Sequence, residues 1–330
     1  MVKRISSKRL KVLALAGGVG GAKLAEGLAR SLPPQDLTVV VNTGDDFQHL
    51  GLYISPDLDT VCYTLAGLAS TSTGWGREVE SWTVMESVAQ LGGPLWFRLG
   101  DRDLGTHLER TRRMREGQPL SEITRHFCQV WGVLPNVLPM SDDPVATQVH
   151  TSQGLLPFQE YFVHQRCEPV VTGFHFEGLD QASPSPGLLV AIEQADAVVI
   201  CPSNPWVSIA PILGLSGLLP ALRELQVVAI SPIIAGQAVK GPAAKMYAEL
   251  GIQPSAAAVA RHYGSQAQGG LLSGFVMDVK DAPQAQAIAE TGMAVLVTET
   301  LMLSGQHRQE LAGKVLDFIN KLPAPGLVIP

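Results

Sequence analysis

The feature that most constrains this chain is a short apolar run, Lys11–Ala16, which breaks into Gly17-Gly18-Val19-Gly20-Gly21 and continues with helical spacing at Leu24 and Leu28. A buried strand, a turn crowded with residues that lack side chains and a helix make the opening of a βαβ unit. The pattern recurs. Leu37–Val41 is a valine-rich strand ending at Asn42-Thr43-Gly44-Asp45-Asp46, and Ser55-Pro56-Asp57 has the cap, proline and acid order of a helix start. Later apolar runs, Ala197–Cys201, Val227–Ser231, Phe275–Asp278 and Met293–Thr298, alternate with helical stretches up to Arg308–Lys321. Strands of continuous rather than alternating apolarity are covered on both faces, so the expected fold is α/β, a doubly wound, Rossmann-like, mostly parallel sheet.

The middle of the chain departs from this rhythm. Glu78 to Trp131 is mostly helical, interrupted at Leu99-Gly100-Asp101-Arg102-Asp103, and strand-like alternation runs from Asn136 to Gly178, including Gln159–Val163 and Val170–Thr172. The expected organisation is therefore a flexible leader at 1–9, a Rossmann-like domain at 10–75 and 190–330, and an inserted, mainly helical and β-hairpin subdomain at 76–189 covering the active-site crevice.

Composition excludes several classes. With 24 Lys and Arg against 30 Asp and Glu, the net charge of −6 lacks the footprint of a nucleic-acid binder. Cys62, Cys128, Cys167 and Cys201 are widely spaced with no CxxC pair, against a zinc knuckle or disulfide framework, so reduced thiols and a cytoplasmic location are expected. Ala197–Leu222 contains no Asp, Glu, Lys or Arg, but Pro202, Pro205, Pro211 and Pro220 break it and argue for a buried strand and loop over a membrane span. The basic stretch Met1–Lys11 runs into the glycine loop, not into an apolar signal core.

Backbone N–H groups at Gly18 and Gly20, at a helix N-terminus with Lys23 one turn on, suit phosphate oxygens. The loop is neither GxGxxG nor Walker A, and a tight strand-to-helix turn is its plain alternative. Three acidic pairs sit at strand ends or helix starts: Asp45 and Asp46, Asp57 and Asp59, Asp142 and Asp143. Strand ends converge on one crevice in a doubly wound sheet, so such carboxylates can meet around a hard cation, magnesium rather than zinc, or around a sugar hydroxyl. Each can instead cap a helix or turn.

Arg98 or Arg102 beside the Gly100 loop can contact a phosphate or planar ring, or pair with Asp101 or Asp103. Asn204, in Pro202-Ser203-Asn204-Pro205, can read a base or phosphate, or close an Asx turn. Arg110, Arg112, Arg113 and Arg115, flanked by Glu109 and Glu116, suggest a solvated helix face. His107 is a general-base candidate beside a motif, with a structural hydrogen bond as the alternative. No acyl-transfer elbow or HExxH pair occurs. The residues themselves lead to a nucleotide-phosphate enzyme using a divalent metal.

Taken in order, Ala16–Lys23, Val41–Asp46, Ser55–Thr60, Leu99–Asp103, Met140-Ser141-Asp142-Asp143-Pro144, Phe158–Phe162 and Pro202–Pro205 resemble the 2-phospho-L-lactate transferase family. Ser231–Ile234 and Lys240–Ala243 extend the likeness over roughly residues 10–320. Gly105, where that family more often has Ala, and the basic leader depart from it. The resemblance implies transfer of a phospholactyl or phosphoenolpyruvyl group from its guanosine diphosphate conjugate to the ribityl chain of 7,8-didemethyl-8-hydroxy-5-deazariboflavin, with release of GMP, in making coenzyme F-420. It further implies magnesium, small-molecule partners and a homodimer. Asp59 and Arg98 match deazaflavin-binding positions. Asp45 and Asp59 are the metal and catalytic candidates, and Gly18, Gly20, Lys23, Asn42, Ser203 and Asn204 are nucleotide candidates by placement. A related reading is a non-catalytic regulator of the gluconeogenesis-factor type that binds a UDP-sugar.

Overall fold

The computed structural model describes residues 9–323; Met1–Lys8 of the expected leader and Ala324–Pro330 lie outside the described residues. Seven strands form the central sheet: β1 (Val12–Ala16), β2 (Leu37–Val41), β3 (Asn136–Pro139), β4 (Ala197–Ile200), β5 (Gln226–Ile230), β6 (Gly274–Asp278) and β7 (Ala294–Thr298). All pairings are parallel, and the spatial order is β7-β6-β5-β4-β1-β2-β3. The order reverses between β1 and β4, the switch point where ligands of this architecture bind.

The apolar runs explain the layering. Leu13, Leu15, Val198, Ile200, Val227 and Phe275 point into one core, closed by Leu188, Leu218, Leu222 and Val259. Val12, Ala14, Val39, Val41, Val199 and Val228 point into the other. There they meet α1 (Gly18–Ser31), α2 (Pro56–Leu65) and the helix Gly305–Ile319 through Leu24, Leu28, Val61, Leu311 and Val315. Each such buried side chain adds roughly 1.5–3 kcal/mol, which is why period-two strands with both faces apolar are held in register.

β3 comes from within 76–189, the segment expected as an insertion. It pairs from Thr38↔Asn136 to Val41↔Pro139 on the sheet edge, where the missing N–H of Pro139 is tolerated. The remainder of that segment supplies α3 (Thr83–Gln90), α4 (Asp101–Arg115), α5 (Leu120–Val130) and an antiparallel sheet of Gly154–Pro157, Ala146–Thr151 and Val171–Glu177. Glu160–His164, expected within a strand, is one π-helical turn closed by Gln165 N–H on the Glu160 carbonyl and by a Glu160–His164 pair at 2.7 Å. Among the described residues no helix is long and apolar enough to cross a membrane. The uncharged 197–222 stretch is β4, a turn at Pro205–Ile209 and short helices.

Candidate active site

The two strands flanking the switch point are tied directly. Ser203, after β4, donates its hydroxyl to the Gly17 carbonyl at 2.9 Å and accepts from Gly17 N–H at 3.1 Å. A side chain at Gly20 would meet the Pro202 carbonyl at 2.2 Å, so the loop needs glycine there to let two backbones approach. Gly18, with φ of +61°, donates its N–H to Asp57 at 2.6 Å. The α1 terminus thus carries a carboxylate from α2.

Asn42 is buried and clamps two acids, donating to Asp45 at 3.1 Å and Asp57 at 3.0 Å while accepting from Gly44 N–H. Gln159 donates to the other oxygen of Asp45 at 3.2 Å, bringing in the segment after Gly154–Pro157. Ser55 donates to Asp46 at 2.7 Å, and Asp46 Oδ1 is buried without a hydrogen-bond partner. Burial first, then the charges of Asp57 and Asp46, push Asp45 well above the usual carboxylate range. Burial likewise raises Asp46 against the pull of Ser55 and Arg110, and raises Asp57 to about 6 despite hydrogen bonds from Asn42 and Gly18.

A second group lies where α2 meets α4. Arg110 makes a two-pronged pair with Asp59, Nη1 on Oδ2 at 3.0 Å and Nη2 on Oδ1. His107 places Nδ1 3.6 Å from Asp59 and Nε2 3.4 Å from Asp103, and Tyr63 donates to Asp103 at 2.7 Å. Burial raises Asp103, but His107, Tyr63 and Arg110 together hold it below the usual range. Asp59, Asp103 and His107 offer ligand atoms all within 4.8 Å of one another. Asp45 stands outside that trio.

Arg110 corrects the expected solvated arginine face. It is 2% exposed, whereas Arg112 and Arg113 do pair with Glu109 and Glu116 near the surface. Asp103, His107 and Arg110 are spaced i, i+4 and i+7 on one face of α4, a signal that mean polarity of the helix conceals.

Other candidates resolve into caps. Asp101 accepts from Ser81, Thr83 and Val84 at the start of α3; Asp142 accepts from Ser121 N–H and hydroxyl at the start of α5; Asp143 accepts from Ser183 N–H. Asn204 closes the Asx turn with Trp206 and Val207 N–H. Arg102 is exposed, and its N–H is engaged by Glu80.

A cavity of about 530 Å³ opens over these groups. Gly17–Gly20, Lys23, Asp45, Asp57, Asp59, His107, Ser203 and Asn204 line it, as does Arg98, whose guanidinium lies 4.3 Å over Trp82. Its apolar wall includes Trp75, Phe97, Phe158 and Phe162, the last two stacked at 5.4 Å and 4°. Asn42 and Asp46 lie behind the wall. The aromatic wall and Lys240 were not singled out by sequence reasoning as site residues, since a lone aromatic or lysine carries no spacing signal.

Fold and site define an α/β enzyme whose switch-point cavity combines buried carboxylates, cations and flat aromatic faces. The family model described as 2-phospho-L-lactate transferase CofD matches residues 12–301, and the chain belongs to that family. It is 41% identical over 322 residues to a phosphoenolpyruvate transferase of Streptomyces griseus, covering 96% of this chain and 100% of the relative. It is also 39% identical over 301 residues to a 2-phospho-L-lactate transferase of Methanosarcina mazei, covering 91% and 98%. A UPF0052 family protein of Bacillus halodurans shares the fold, with a TM-score of 0.58, 16% identity, and coverage of 94% and 100%. The chain is a transferase.

Proposed function

We propose that the chain transfers a phospholactyl or phosphoenolpyruvyl group from its guanosine diphosphate conjugate to the terminal ribityl hydroxyl of 7,8-didemethyl-8-hydroxy-5-deazariboflavin, in the biosynthesis of coenzyme F-420. The observation that carries this reading is one cavity uniting a flat aromatic wall, suited to a deazaflavin ring, with carboxylates suited to a hydroxyl and a hard cation. The names of relatives at about 40% identity favour the same chemistry.

The ribityl oxygen forms a bond to the phosphorus bearing the three-carbon acid. The bond from that phosphorus to the bridging oxygen breaks, GMP leaves with that oxygen, and the hydroxyl proton is lost. Positioning and charge stabilisation dominate such transfers. Asp59, fixed by Arg110, orients the hydroxyl. Arg98 and the aromatic wall hold the ring.

The donor set suits magnesium: the oxygens of Asp45, Asp57 and Asp59 line one cavity, and burial pushes the carboxyls of Asp45 and Asp57 up. Asp45 and Asp59, with Asp57 beside Asp45, are the residues that would hold the ion, which when bound neutralises charge on the diphosphate.

Incubation with the deazaflavin and each donor, with products identified by mass, tests the reading. Asp59→Asn is expected to lower turnover about a hundredfold or more, as loss of an interaction used in the transition state does. Wild-type turnover in that variant refutes the role of Asp59. Thermal stabilisation by a UDP-sugar and not by GDP with magnesium refutes the transferase reading itself.

A further inference from the structure

Two lysines that line the cavity have backbone carbonyls, and among the described residues no carboxylate, as hydrogen-bond partners. Lys23, half-buried on α1, donates to the Met302 carbonyl at 3.1 Å. Lys240, on the exposed segment leading into the helix Ala243–Glu249, donates to the Thr73 carbonyl. Both line the cavity. Among the described residues neither forms an ion pair with a carboxylate, while the neighbouring Arg308 is paired with Glu26. Burial, then Arg308 and Lys240, draw Lys23 below its usual range, and burial does the same to Lys240. Cations held near one another on carbonyl oxygens alone are short of negative charge.

Their place relative to the glycine loop matters. An added Cβ at Gly74 would lie 3.0 Å from both Lys240 Nζ and Val19 Cγ1, so Lys240 sits over the loop. Two of the loop's amides are taken: Gly18 N–H by Asp57 and Gly17 N–H by Ser203. The first amide of α1, part of the usual phosphate seat at a helix start, is engaged by Asp57 of the chain itself.

We propose that Lys23 and Lys240 form the anion subsite of the cavity and hold the diphosphate of the nucleotide donor beside the α1 terminus. This rests on the transferase reading above. Met302 and Thr73 carbonyls hold the two ammonium groups in place before the donor arrives, and charge-assisted bonds to phosphate oxygens replace or supplement them on binding.

Lys23→Met and Lys240→Met remove the charge and keep most of the stem. Titration calorimetry with GDP as probe, with and without magnesium and at two salt concentrations, is expected to show affinity reduced roughly tenfold in each variant, about 1.4 kcal/mol, with a weaker salt dependence. Donor KM should rise more than kcat falls, and deazaflavin affinity should stay within about twofold, because a charge used equally in ground and transition states acts on KM. GDP affinity unchanged in both variants, with normal binding by the wild type, overturns the lysine subsite and leaves the transferase reading intact. A wild-type chain that binds neither GDP nor deazaflavin overturns both. Should Lys23→Met unfold the chain, Lys240→Met, on an exposed segment, decides the matter alone.

Discussion

Two sets of carboxylates stand at the same end of the sheet under opposite electrostatics. Asp59 and Asp103 face Arg110 and His107, and Tyr63 adds a donor. Asp45, Asp46 and Asp57 face mainly one another and uncharged donors, and burial raises all three. The first set, Asp59 included, is fixed in place by its charged partners. The second is a crowd of buried carboxyls with no cation of the protein paired to them among the described residues, so each resists losing its proton. Residue type is the same in both, and each set has acids in the first turn of a helix; the partner that folding brings beside each carboxylate decides its electrostatics.

The sharpest way to break this contrast is Arg110→Met. It leaves Asp59 buried without its countercharge and should cost about 3–5 kcal/mol, the usual penalty for removing one member of a buried pair. Urea unfolding would show it, with turnover abolished. A midpoint close to wild type would mean that Asp59 is not held by Arg110.

Asp57→Asn acts on the other set. A carboxyl raised to about 6 from 3.8 keeps its proton more tightly in the folded chain than in the unfolded one. Its contribution to stability is complete below the ordinary value and is lost as pH climbs through 6. The variant's melting temperature relative to wild type, measured without added metal, should therefore rise between about pH 4 and pH 7. A constant difference across that range removes Asp57 from the unbalanced set.

The third acidic pair calibrates both. Asp142→Ala removes two hydrogen bonds at the start of α5 and should cost about 1 kcal/mol, as loss of a cap does, while kcat and KM stay at wild-type values. A loss of activity would bring Asp142 into the site.

Much of the fold was legible because period and punctuation are local. The strand at Val12–Ala16, the glycine turn and the proline-led helix at Pro56 follow from neighbouring residues. β3 was harder to assign, since Asn136–Pro139 is short and joins the sheet only through pairing with β2, nearly a hundred residues earlier. Glu160–His164 reads as a strand from its aromatic and β-branched content and winds into a π-turn through a bond to Gln165 and a Glu160–His164 side-chain contact at 2.7 Å on one face. In the site, Asp45 was visible as a strand-end acid and Asp57 and Asp59 as acids of a helix start. Arg110 was not, because its charge suggested solvent and only its alignment with His107 and Asp103 marks the buried face.

By itself, the sequence determined a parallel α/β sheet with glycine at the switch point and acids at the strand ends, since apolar period, close backbone approach and capping depend on a few adjacent residues. Only the tertiary structure decided which acids are balanced, that Asp57 binds the first amide of α1, and that Lys23 and Lys240 share a wall. Those are electrostatic facts, and in a buried site charge is felt from whatever group folding brings within a few ångströms, however far away it lies along the chain.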